Sequence, residues 1–126
     1  MIEKILDATH DSVATPAANA TPFTNVLIGV DGSAASRDAI ALGAMLCNPH
    51  GSVTLAHVST YSATYLSLDA KSARAEAREM LERERAQAPM VAEVRDIASP
   101  SVGRGLHQLV EQYAADLLVV GSCSRG

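Results

Sequence analysis

The chain has 126 residues and a formal net charge of −4, with 48% hydrophobic and 19% charged residues. One domain with a real core fits these figures, and wholesale disorder does not. Aromatic residues make up only 3%, with no Trp, and the balance is acidic, which argues against base-stacking platforms, nucleic acid and anionic membranes as partners.

Residues 1–24 are rich in Ala, Thr, Asn and Pro and show no sustained period. They read as a flexible leader, with a turn of helix near Ile2–Leu6. Asn25–Asp31 (NVLIGVD) is a short apolar, β-branched run that suits a strand buried on both faces. Ser33 is a natural N-cap, and Ala35, Ala39, Leu42 and Leu46 recur at helical spacing up to Cys47, which reads as a buried helix residue. Asn48-Pro49-His50-Gly51 predicts a turn, and Ser52–Val58 a second strand.

A polar connection leads to a helix over Asp69–Gln87, in which Ala70, Ala73, Ala77, Leu81, Glu84 and Ala88 trace one face. Pro89 stops it. Residues 90–98 alternate imperfectly, as in a partly wet strand near a sheet edge, with Val91, Val94 and Ile97 as its apolar positions. Ser99–Gly105 is a loop into a helix along which Leu106, Leu109, Val110 and Tyr113 line up. Leu117–Gly121 is a fourth buried strand, followed by the small-residue loop Ser122–Gly126.

Strands alternating with helices predict an α/β, doubly wound parallel sheet. Ligands of such sheets sit outside the carboxyl ends of the strands. Asp31 at the first strand end suits either a ligand hydroxyl or a turn that caps the helix. His57 reads as a hydrogen-bonded structural histidine, since spacing places no nucleophile beside it. Gly121–Gly126 would form an anion cradle if a helix followed. P-loop, GxGxxG, HExxH and GxSxG signatures are absent. Cys47 and Cys123 show no CxxC spacing, so neither a disulfide framework nor a zinc site is expected. No apolar run approaches the ~20 residues of a membrane span, and the first residues do not resemble a secretory signal. A cytoplasmic setting is expected.

Three separated segments resemble the universal stress protein family: VLIGVDGSAASRDAIALGAMLC, VTLAHVST and SPSVGRGLHQLVEQYAADLLVVGSCSRG. The resemblance covers residues 25–126. It implies an adenine nucleotide alpha hydrolase-like fold with parallel strands in the order 3-2-1-4-5. It also implies homodimers or tandem domains and, in part of the family, binding of ATP with Mg as its counter-ion. Carried onto this chain, the nucleotide site comprises Val30, Asp31 and Ser33 at the first strand end, and Val58 at the second. Gly121, Ser122, Ser124 and Gly126 belong to a phosphate loop of the form G-x-x-G-x9-G-S/T.

The chain departs from that loop, because Ser124 stands at the second glycine position. The third glycine, the last helix and the fifth strand would lie past Gly126. The domain is therefore expected to be incomplete at its C-terminus, leaving the fourth strand as a sheet edge. The function expected from the resemblance is a regulatory stress-response switch that binds adenine nucleotide. It would not be an enzyme beyond slow regulatory hydrolysis of ATP. A nucleotide-free dimerisation or interaction module of the same fold is the alternative. A phosphoacceptor receiver domain is a third possibility, which needs clustered acids after the first strand and an aspartate at the end of the third; Asp96 sits near the latter, but Asp31 has no adjacent acid.

Overall fold

The computed structural model describes residues 5–7, 22–60 and 69–121. In chain order the elements are β1 (Ile5–Asp7), β2 (Phe23–Gly29), α1 (Ala34–Leu46), β3 (Cys47–Thr60), α2 (Asp69–Gln87), β4 (Glu93–Ser99), α3 (Val102–Tyr113) and β5 (Leu117–Val120). The sheet is parallel throughout, in the order β1-β5-β2-β3-β4. Its four main strands, β2 to β5, reproduce the expected order 3-2-1-4.

Sequence pattern explains which strands lie at the centre. Val26, Leu27 and Ile28 of β2 are fully or almost fully buried, and β2 is flanked by Val53–Leu55 of β3 and Leu117–Val119 of β5. A strand covered on both faces needs a continuous apolar run rather than alternation. Its odd and even residues serve two separate cores. Val26 and Ile28 pack with Val53, Leu55 and Val119 against Ala39 and Ile40 of α1 and Leu81 of α2. Leu27 joins Ala56, Val58 and Leu118 under Leu106, Leu109 and Val110 of α3. Helices α1 and α2 thus share one face, and α3 takes the other.

The chain moves outward from β2 through β3 to β4, then returns through α3 to β5 on the other side of β2. The reversal opens a crevice between the carboxyl ends of β2 and β5. At the opposite end of these strands, Asp116 fixes their mutual register. Its carboxylate accepts from the backbone N–H groups of Thr24 and Asn25, both at 3.0 Å, and its own N–H donates to the Asn25 carbonyl at 2.9 Å.

Several local expectations need correcting. Ile5 and Leu6 are strand rather than helical turn, and Ile5–Asp7 pairs with Leu118–Val120. The edge of β5 is therefore covered by the chain's own early residues, which satisfies backbone groups that would otherwise stay unpaired. Residues 1–4 and 8–21 of the expected leader lie outside the described residues.

Residues 48–51 do not separate α1 from β3. They bulge within β3, where the register jumps from Phe23↔Cys47 to Asn25↔Ser52. Cys47 is consequently the C-cap of α1 and the first residue of β3, only half-buried. Burial pushes its thiol pKa up, and the Asp116 charge adds to the effect. Ala73 is exposed, and Val91, at 95% exposure, precedes β4 and packs into neither core.

Candidate functional site

A cavity of about 400 Å³ opens at the crevice. Each wall comes from a different element. The end of β2 supplies Val30 and leads into Asp31 and Ser33. The start of α1 supplies Ala34, Ala35 and Ser36. Strand β3 contributes Ala56, His57 and Val58, α3 contributes Val102 and Leu106, and Val120 and Gly121 close the far side.

The local sequence explains the polar rim. The Asp31 carboxylate accepts from the Ser33 N–H at 2.9 Å, an Asx turn that reverses the chain. Gly32 occupies φ +83, a left-handed conformation that suits glycine. Ser33 then caps α1, its side chain accepting from the Ser36 N–H at 3.2 Å. Burial would raise the Asp31 carboxyl pKa. Bonds from the Ser33 side chain and N–H and from the Ser36 side chain outweigh that and leave it below the ordinary value of 3.8. The stabilisation is therefore fully present above 3.8 and is lost as pH falls through the lower folded value. Carboxyl-carbon NMR is expected to give Asp31 a titration midpoint below 3.8, moving upward in Ser33→Ala. A midpoint at or above 3.8 in the wild-type chain would contradict this turn.

The opposite wall is apolar. Val58 and Leu106 are nearly buried, whereas Val102 on the first turn of α3 is half exposed at the cavity mouth. A shallow apolar wall facing a carboxylate and a helix N-terminus can take a flat heteroaromatic ring on one side and hydroxyl or anionic groups on the other.

Of the residues anticipated from the sequence, Val30, Asp31, Ser33, Val58 and Gly121 line this cavity together. Ser122, Ser124 and Gly126 lie outside the described residues. Sequence reading missed Ala34–Ser36, and also Gly29, Ala56, His57, Val102, Leu106 and Val120. The first group had a usable signal, since small residues directly after an N-cap permit close approach to a helix start. Val102 and Leu106 had none, because their place at the cavity depends on how α3 crosses the sheet.

From the cavity wall, His57 Nδ1 lies 3.4 Å from Asp96 Oδ1, the Ser59 hydroxyl donates to the same oxygen at 3.3 Å, and Arg74 Nε is 3.6 Å from Asp96 Oδ2. The Asp96 side chain is 4% exposed. His57 is thus the hydrogen-bonded histidine anticipated. Asp96 is enclosed among three partners rather than open to phosphoryl transfer, which removes the basis for a receiver domain. Among the described residues, no group of His, Cys, Asp and Glu could hold a metal ion, and no helix is long and apolar enough to cross a membrane.

Fold and crevice together define a doubly wound α/β protein with its cavity at the topological switch point. The universal stress protein family model matches residues 22–126, and the chain belongs to that family. Protein Rv1636 from Mycobacterium tuberculosis H37Rv is 25% identical with a TM-score of 0.58, over 82% of this chain and 75% of that one. A universal stress protein solved in complex with cAMP is also 25% identical, with a TM-score of 0.56, over 79% of this chain and 73% of that one. No curated protein matches in sequence.

Proposed function

We infer that this chain is an adenine-nucleotide-binding module that works as a regulatory stress-response switch, with ATP as its expected ligand. The observation that carries this reading is the cavity at the switch point, where Asp31 faces the apolar wall of Val58, Val102 and Leu106. A similar solved universal stress protein holds cAMP, an adenine nucleotide. The described residues suit the nucleoside end of such a ligand: the apolar wall for the base, Asp31 for sugar hydroxyls, and the α1 start for partial negative charge. Bound ATP would bring Mg held by its own phosphates, since the described residues offer no metal cluster. The module would act by binding rather than turnover, as a homodimer or within a tandem protein. A cytoplasmic setting suits its free Cys47 thiol.

Calorimetry on the full chain with ATP and cyclic AMP tests this reading. Asp31→Ala is expected to weaken binding by ~10-fold or more, the loss of about one charge-assisted hydrogen bond. A wild-type chain that bound neither nucleotide would sink it.

A further inference from the structure

Glu84 is buried on the core-facing side of α2, with its side chain 4% exposed. A carboxylate so placed is retained against a desolvation cost that an apolar residue would avoid. Its ion-pair partner is Arg37 of α1, with Nε 3.4 Å from Glu84 Oε2. The same guanidinium reaches back through Nη2 to the carbonyl of Gly32, also at 3.4 Å.

Gly32 is the left-handed residue between Asp31 and Ser33. Helix α2 packs there a second time, since a Cβ at Gly32 would lie 3.2 Å from Met80 Cγ. Two residues of α2, one turn apart, therefore bear on the turn that carries Asp31. Met80 does so through packing, and Glu84 acts through Arg37. The planar fork of Arg can serve a carboxylate and a carbonyl at once, whereas the single ammonium of Lys cannot hold both in fixed geometry.

We propose that Arg37 and Glu84 are positioning residues for nucleotide binding, with buried Glu84 orienting Arg37 so that its guanidinium braces the Gly32 carbonyl and holds the Asp31 turn in place. The proposal rests on the nucleotide reading of the cavity, so its test has one readout that needs no ligand. Arg37→Lys and Glu84→Gln in the full chain are followed by amide hydrogen exchange at Ser33, by thermal melting, and by calorimetry with ATP and cyclic AMP. The Ser33 N–H is the donor that closes the turn onto Asp31.

Both variants are expected to speed Ser33 exchange by ~10-fold and to weaken both nucleotides by ~3- to 10-fold, the scale of one ordinary hydrogen bond. Arg37→Lys keeps a cation opposite Glu84 and should melt close to the wild-type chain. Unchanged Ser33 exchange in both variants would overturn the brace. Affinity that fell only in step with melting temperature would do the same, since that is the behaviour of a merely structural ion pair. A wild-type chain that bound neither nucleotide would instead overturn the nucleotide reading together with the binding half of this proposal, while Ser33 exchange still decided the brace.

Discussion

Gly121→Ala is expected to destabilise the chain by about 1–3 kcal/mol and to damage the cavity proposed to hold nucleotide out of proportion to that loss. A Cβ built at Gly121 would lie 2.5 Å from the Ala35 carbonyl oxygen and 2.6 Å from its carbon. Both obstacles are backbone at the first turn of α1, so no side-chain rotation relieves the clash. Either the end of β5 or the start of α1 must move, and the cavity lies between them. Urea unfolding should show the stability change, and ATP calorimetry should show a fall in affinity larger than unfolding accounts for. Gly103→Ala is the control. Nothing lies within 4 Å of its Cβ position, and Ala on an exposed helical turn should be neutral or stabilising by up to ~1 kcal/mol. If the two substitutions behaved alike, close approach at Gly121 would not be what the glycine provides.

Asp96→Ala is expected to cost about 2–4 kcal/mol. The loss is of a nearly buried carboxylate that gathers His57 and Ser59 of β3 and Arg74 of α2. The upper end is reserved for pairs wholly shielded from water. Arg74 is well exposed and His57 partly so, and both can regain solvent once the carboxylate is gone. Asp96→Asn keeps the shape and removes the charge, so it should fall between the wild-type chain and the alanine variant. Denaturant midpoints at neutral pH would rank the three. An alanine variant as stable as the wild-type chain would show that the cluster is solvated surface rather than the tie between α2 and the sheet.

Much of this architecture was legible in the residues. The helix Asp69–Gln87 was bounded correctly because Pro89 and a long charged run leave little choice of ends. Ser33 was readable as a cap because its hydroxyl and the following helical spacing are local features. The family resemblance gave the strand order and the residues of the β2 and β3 ends.

The misses share a cause. Asn48-Pro49-His50-Gly51 has turn composition, yet pairing with β2 on either side holds it as a bulge. Ile5–Asp7 is too short and isolated to announce a strand, and it becomes one through its pairing with Leu118–Val120 of β5. Glu84 fell on the apolar stripe of α2 by spacing, but its partner lies 47 positions away in sequence.

The sequence by itself determined the alternation of strands and helices, the two buried faces of the central strands and the cap of α1. These follow from periodicity and local hydrogen bonding, which act over a few residues, whereas Val30, Asp31, Ser33, Val58 and Gly121 were pointed to by the family resemblance. Tertiary structure alone decided that Ile5–Asp7 covers β5, that Val102 and Leu106 wall the cavity, that Asp96 is enclosed and that Arg37 joins α2 to the Asp31 turn. Each of these depends on groups distant in the chain meeting across the sheet or between helices, where burial and charge pairing act on the folded whole and leave no periodic trace along the chain.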